Sequence, residues 1–367
     1  MRSRAAPAAG GPSPLRSLCD RSSPLAFQFG TGSTPQASQA RRGVAPDGAQ
    51  PSERMRTLAL EAKNKKLLRL RKANDSAKPD LMAFTLLGFD LDKFVRETLD
   101  EDLGVGLEGG GADVTSTSVI PADARFSGVM DSRDPVVVAG LPLAEAFFRS
   151  LDPGVEIETL VADGDSVNSG TDLMRLKGNA RALLTAERSA LNIVQHLSGI
   201  ATMAREYVDA MDNPDCTLLD TRKTLPGLRV LEKYAVRMGG AQNHRMGLWD
   251  AAMIKDNHVA VAGSVGEAVR RARDAGVKPI ICEVDRLDQI EPAIEAGAHH
   301  LLLDNMSPDV LKDAVAIVAG RTATEASGGI NLDTIKAKAA SGVDYCSVGR
   351  LTQSAPAADV GLDFTPL

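Results

Sequence analysis

The sequence has no surplus of positive charge: 42 Lys and Arg stand against 48 Asp and Glu, a formal net charge of −6. A chain of that sign disfavours a nucleic-acid partner, and any basic pocket has to be local. Cysteine is scarce as well. Cys19, Cys216, Cys282 and Cys346 lack the short spacings of a zinc site and read as reduced thiols of a cytosolic-type compartment. No apolar run approaches the roughly 18 residues that span a bilayer, so a soluble protein with no membrane partner is expected. A Ser, Cys or His nucleophile constellation is also missing.

What is present supports a substantial core. The 367 residues, 43% of them apolar, suffice for one large or two medium domains. The first 50 residues are of another kind, rich in Ser, Pro, Gly and Ala, with six Arg against two Asp and neither helical nor strand period. Such a leader has the composition of a transit peptide, and equally of a disordered tail or an overextended start. The expectation is therefore a cytoplasmic protein, with organellar targeting left open. Residues 51–73 add only a loose leucine stripe (Leu58, Leu60, Leu67, Leu68, Leu70) on a basic extension that reaches to about residue 80.

From Leu87 the composition is that of a folded domain. FDLDKFVRETLDEDLG sets Leu91, Phe94, Val95 and Leu99 at helical spacing. ARFSGVM (124–130) and PVVVAG (135–140) predict strands ahead of a helical LPLAEAFFRSL, and VEIETLVADGDSVNSGTDLMRLKG has the alternation and turns of one small sheet. A long helix is expected from Ala180 to about Met211. Beyond it, strands TLLDTRK (217–223), AAMIKD (251–256), PIICEVD (279–285), HLLLDNM (300–306), TATEASGG (322–329) and DYCSVGR (344–350) precede or alternate with amphipathic helices such as EAVRRARDAG and PDVLKDAVAIVAG. This is the pattern of parallel β/α units. The strands end in Asp220 with Arg222 and Lys223, Lys255 with Asp256, Glu283, Asp304 with Asn305, Ser327 with Gly328 and Gly329, and Gly349. A β/α barrel gathers all such ends at one mouth, whereas a doubly wound sheet offers a single crevice. A barrel is the fold expected.

That mouth has a cationic half, Arg222, Lys223, His244, Arg245 and Lys255, and an anionic half, Glu283 and Asp304. Crowded cations in a partly dry cavity are costly unless anions enter or carboxylates pair with them. Either they grip a small substrate with more than one carboxylate or phosphate, or they are ion pairs on a solvated face. SGGINLDTI (327–335) and SVGRLTQS (347–354) both run from strand through Gly to a polar turn, where backbone amides can face a phosphate; SGG alone is also an ordinary helix entry. Glu283 and Asp304 either neutralise the basic cluster or bind ribose hydroxyls and hold Mg²⁺, with water and diphosphate oxygens completing its shell. His299 and His300 fall at a strand entry opposite the mouth and His196 lies mid-helix, all three structural or solvent-facing, and Trp249 is expected to pack.

The strings DVTSTSVIP, GDSVNSGTDLMRLKGNARALLTAERSALNIVQHLSGIAT, LLDTRKTLPGLR, KYAVRMGGAQNHRMGLWDAAMIKDNHV, LLLDNM, EASGGI and GVDYCSVGRLTQSAPAADVGLDF resemble the quinolinate phosphoribosyltransferases, the carboxylating nicotinate-nucleotide pyrophosphorylases of de novo NAD synthesis. The likeness runs from about Leu91 to Phe364. It implies an α/β architecture in which an α/β sandwich (α+β) domain, 85–190, precedes an irregular open β/α barrel, 191–353, with the tail 354–367 packed back onto the first domain. It implies a homodimer whose Arg188 enters the neighbouring subunit's site. Arg222, His244, Arg245 and Lys255 match the quinolinate-binding residues, with Lys223 lining the same pocket. Glu283 and Asp304 match the residues for ribose and metal, and Ser327, Gly328, Gly329, Val348 and Gly349 match the 5′-phosphate loops. The implied reaction joins quinolinate and phosphoribosyl diphosphate, with Mg²⁺, to nicotinate mononucleotide, diphosphate and CO₂, Lys255, Glu283 and Asp304 carrying the catalysis. A related pyridine-carboxylate transferase, or a binding module without turnover, is the alternative.

Three stretches depart from the pattern. Asp285 stands where a second Glu is usual. Arg350 and Gln353 replace the small residue and histidine of a GALTHS string, Arg350 either adding a phosphate contact or pointing outward. LEGGGA at 107–112 interrupts DLGxGDVTS as a lengthened surface loop.

Overall fold

The computed structural model describes residue 86 and residues 88–367; Cys19, the leader and the 51–73 stretch lie outside the described residues. The described chain opens with α1 (Leu91–Leu103) and α2 (Val114–Val119), each started by an aspartate. Asp90 accepts the Lys93 N–H at 2.9 Å, and Asp113 accepts those of Thr115 and Ser116 at 3.0 and 2.9 Å. Helix α2 comes from the DVTSTSV text, too short and too polar to show a period. Between the two helices, residues 107–112 form the exposed loop expected of the insertion.

Next come β1 (Arg125–Ser132), β2 (Val136–Val137), α3 (Leu141–Leu151), β3 (Glu156–Thr159), β4 (Ser166–Val167) and β5 (Thr171–Asn179). The small sheet expected from 155 to 178 is divided: β3 and β5 join β1, while β4 pairs only with β2. Helix α4 (Ala180–Met211) then runs 32 residues and buries Ala186, Ala190, Leu197, Ile200, Ala201 and Ala204. It packs on α3 and β2 of the first layer and on the helices of the barrel that follows, so one rigid element serves both halves.

The barrel is built from β6 (Thr217–Leu219), α5 (Arg229–Met238), β7 (Ala252–Ile254), α6 (Asp256–Ala262), α7 (Val265–Asp274), β8 (Ile280–Val284), α8 (Ile290–Ala296), β9 (His300–Asp304), α9 (Pro308–Val318), β10 (Ala323–Ser327), α10 (Ile335–Ala339), β11 (Tyr345–Ser347) and α11 (Arg350–Gln353). Its six strands form one parallel sheet in the order β6-β11-β10-β9-β8-β7, with β6 and β7 as its two ends. This is the open barrel expected. The strands are shorter than their apolar text suggested: Asp220, Arg222, Lys223 and Lys255 stand beyond strand ends. The Lys-Asp-Asn-His turn is the start of α6, where the Lys255 N–H donates to His258 Nδ1 at 2.9 Å.

The chain ends in β12 (Val360–Pro366), which pairs antiparallel with β1, Met130 opposite Leu362, and completes a four-stranded sheet ordered β12-β1-β5-β3. On the way there the tail lies directly on α4. Gln195 donates from Nε2 to the Val360 carbonyl at 2.8 Å, and the Ala358 N–H donates to the Gln195 carbonyl at 2.9 Å. Gly199 leaves the room for this, since a Cβ there would overlap the Pro356 carbonyl.

A buried ion pair fixes the loop after α5. Asp220 and Lys233 are 0% and 1% exposed and contact each other. Lys233 Nζ also donates to the His244 carbonyl at 3.0 Å, while Asp220 accepts the His244 N–H at 2.8 Å and Asn243 Nδ2 at 2.6 Å. Burial pushes the Asp220 pKa up and that of Lys233 down, each opposed by the other's charge. A neighbouring tie joins the two halves: Tyr234 Oη donates at 2.7 Å to Asp163, which accepts the Gly140 and Leu141 N–H groups at the start of α3.

Two stability measurements check these contacts in denaturant unfolding. Gly199→Ala is expected to cost about 1–3 kcal/mol by forcing the tail off α4. Lys233→Ala is expected to cost about 3–5 kcal/mol, because it strands a buried carboxylate; a loss below about 1 kcal/mol would show that the pair does not hold the loop.

Candidate active site

At the carboxyl ends of the barrel strands lies a cavity of about 660 Å³. Arg222, Lys223, His244, Arg245, Lys255, Glu283, Asp304, Ser327, Gly328, Gly329, Val348 and Gly349 all line it. These are the residues expected within one chain, gathered from six strand ends. Arg188 is not among them; it is exposed on α4, outside this cavity. Arg350 and Gln353, whose direction the sequence left open, do face it.

Charge is divided unevenly around the wall. Lys255 Nζ lies 3.6 Å from Glu283 Oε2, so one of the cations is answered from within. Burial raises the Glu283 pKa and nearby Asp304 adds to the rise, against the pull of Lys255. Arg222 and Arg245 have no such partner: neither forms an ion pair among the described residues, and the Nε of each is buried without a hydrogen bond. Burial, and then the Arg222 charge, lower the Arg245 pKa. Its Nη1 donates to the Ala251 carbonyl at 2.7 Å, which holds the guanidinium still. Asp250 opposes the fall in the Arg245 pKa from a distance without forming an ion pair, and neighbouring cations kept in place but unpaired form an anion receptor.

The glycine loops stand side by side because β10 and β11 are neighbours. Gly328 and Gly329 have φ of +80° and +62°, and a Cβ on Gly328 would overlap the Asn305 side chain. Lys338 Nζ donates to the Gly328 carbonyl at 2.9 Å and fixes the turn from beneath. Gly349 meets Lys223, whose Cδ would lie 2.7 Å from an added Cβ.

The floor of the cavity was not anticipated. Glu325, in the middle of β10, is 0% exposed, with His244 Nε2 at 3.3 Å and His300 Nε2 at 2.9 Å from its Oε2. Burial pushes its pKa up, but the two imidazoles together outweigh that and hold it at about 2. A glutamate inside the buried strand ATEAS, two residues before SGG, was the available signal, since such a charge requires partners. His300 therefore points into the barrel rather than to solvent, and its ring stacks on Tyr345 with centroids 5.4 Å apart. His196 is structural as expected, 3.0 Å from the buried Glu232. Trp249 does not pack: it is 79% exposed, near exposed Leu248, because the loop carrying it faces away from the core.

Models of the N-terminal and C-terminal domains of quinolinate phosphoribosyl transferase match residues 113–198 and 200–363. Over 276 residues the chain is 44% identical to the nicotinate-nucleotide pyrophosphorylase (carboxylating) of Mycobacterium leprae, covering 74% of this chain and 95% of that one. It is 40% identical over 277 residues to the probable nicotinate-nucleotide pyrophosphorylase (carboxylating) of Bacillus subtilis, covering 75% of this chain and 93% of that one. The solved structure of NadC from Streptococcus pyogenes matches with a TM-score of 0.73 at 38% identity, over 78% of this chain and 100% of that one. With two domain models that abut along the chain, and likeness of this degree over nearly the whole of its relatives, the protein belongs to the quinolinate phosphoribosyl transferase family.

Proposed function

We propose that this chain transfers the phosphoribosyl group of phosphoribosyl diphosphate to quinolinate and releases CO₂, giving nicotinate mononucleotide and diphosphate. The observation that carries this is the pair Arg222 and Arg245, held in the cavity with no ion pair to a carboxylate among the described residues. Two forks of that kind suit the two carboxylates of one flat ring. The glycine loops at Ser327–Gly329 and Val348–Gly349, with Arg350 beside them, suit the 5′-phosphate. Glu283 and Asp304 lie on the intervening strands β8 and β9, where ribose and diphosphate would extend.

Glu283 and Asp304 fit a magnesium ion as two hard-oxygen donors on one wall, the Asp304 charge adding to the rise in the Glu283 pKa. Among the described residues no group of three or more His, Cys, Asp or Glu could hold a metal by itself, which suits an ion whose shell is completed by diphosphate and water. The ion would supply charge neutralisation for the departing diphosphate. In the chemical step the bond from the anomeric carbon to diphosphate breaks, its electron pair leaving with the diphosphate, and positive charge grows on the sugar. Glu283 and Asp304 stabilise that charge more in the transition state than before it. The pyridine nitrogen, aimed by the clamps, forms the new bond and needs no base, having no proton to lose. The adjacent carbon–carboxylate bond then breaks toward the electron-poor ring, and the carbon left behind takes a proton. Lys255, an ammonium with a side chain 49% exposed to solvent, is the group we assign to supply it.

A homodimer completes the site. Arg188 is exposed and outside its own cavity. A second cavity lined by Arg222, Arg245, Leu248 and Val261, with Leu248 and Val261 74% and 86% exposed, opens an apolar approach to the clamp where a neighbouring subunit would seat. Among the described residues no helix is long and apolar enough to cross a membrane.

Purified protein given quinolinate, phosphoribosyl diphosphate and Mg²⁺ is expected to release CO₂ and form nicotinate mononucleotide, to stop on chelation, and to form nothing from nicotinate. Product from another acid alone would mark a related transferase, and none from any acid a binding module. Mixing an Arg188→Ala chain with an Arg222→Ala chain is expected to restore part of the activity, since one hybrid site is then intact. No recovery after confirmed subunit exchange would rule out a shared site.

A further inference from the structure

We propose that Glu325 is a positioning residue for the dicarboxylate clamp: from the barrel floor it fixes His244, and through His244 the backbone that carries Arg245. This deepens the reaction given above and rests on it for its kinetic consequences.

Glu325 sits mid-strand with Leu302 of β9 and Tyr345 of β11 beside it in register. A buried carboxylate is costly there, and an apolar side chain would fill the same space at less cost. What it offers that an apolar group does not is a fixed negative point for two imidazoles. His300 is steadied by its stack on Tyr345. His244 transmits the restraint, because its other nitrogen, Nδ1, accepts the Arg245 N–H at 2.7 Å. That bond puts the imidazole proton on Nε2, facing Glu325.

Nδ1 of His244 is engaged by the Arg245 backbone, while Nε2 stands 3.3 Å from Glu325 as a charge contact rather than a hydrogen bond, on a side chain 7% exposed at the cavity wall. Arg245 is thus set at its backbone by the imidazole and at Nη1 by the Ala251 carbonyl. The Asp220–Lys233 pair grips the His244 N–H and carbonyl but not the ring. Without Glu325 the ring is free to turn and to exchange tautomers.

Glu325→Gln keeps the size and removes the charge. Expected are an unchanged melting temperature, a rise in quinolinate KM of about ten- to a hundred-fold from a misplaced clamp, and a phosphoribosyl diphosphate KM within about twofold of wild type. Imidazole nitrogen NMR should show His244 protonated on Nε2 in the wild type and mixed between tautomers in the variant. Glu325→Asp, with charge kept and reach shortened, should recover part of the quinolinate KM. A Gln variant with wild-type quinolinate KM, or with both KM values raised alike, overturns the proposal. Should that variant fail to fold, the wild-type spectrum decides, and a His244 protonated on Nδ1 overturns it. If the wild type does not turn over quinolinate, the proposed reaction fails separately; calorimetric binding of pyridine-2,3-dicarboxylate then reads the clamp, weaker in the Gln variant supporting the proposal and equal in both overturning it.

Discussion

Two guanidinium groups held in a half-dry cavity, neither in an ion pair among the described residues, are the constraint around which this barrel mouth is arranged. Arg222 and Arg245 repel one another and resist burial, so the fold has to supply the energy that keeps them there. It does so by anchoring the groups that carry them instead of neutralising the cations themselves. The Asp220–Lys233 pair grips the backbone at His244, the Ala251 carbonyl takes one guanidinium nitrogen, and Glu325 below faces the His244 ring. Lys255, by contrast, is answered by Glu283, which leaves Asp304 as the unpaired negative charge on that side of the cavity.

Such a site tolerates little play, and the architecture around it is correspondingly tied. The 32-residue helix α4 is shared by the first layer and the barrel, the C-terminal strand returns to the first sheet, and Tyr234 reaches across to Asp163. Strand ends positioned this way hold their side chains more rigidly than free loops would. The glycine loops follow the same logic: the left-handed turn at Gly328 and the Asn305 side chain against it both require that no Cβ be present, and Lys338 Nζ ties the Gly328 carbonyl.

Family membership and geometry meet at the same residues. Every position that the resemblance assigned within one subunit lines the same cavity, whereas Arg188, assigned to a neighbouring subunit, stands outside it. Leu248, exposed, lines a second cavity together with Arg222 and Arg245.

The sequence by itself determined the order of elements, the barrel, and the convergence of Arg222, Arg245, Lys255, Glu283, Asp304 and the glycine turns. Each of these is written locally, as a period of apolar residues or as a polar residue that closes an apolar run. The strands end earlier than their text because TLLDTRK and AAMIKD continue smoothly where the backbone leaves the sheet, and α2 has no readable period because four of its six residues are Ser or Thr. Only the tertiary structure decided which charges cancel. Asp220 finds Lys233, Lys255 finds Glu283, and Glu325 finds His244 and His300, all from separate elements of the barrel. Such pairings depend on which side chains point inward at the same height of a closed wall, a distance in space that spacing along the chain does not encode.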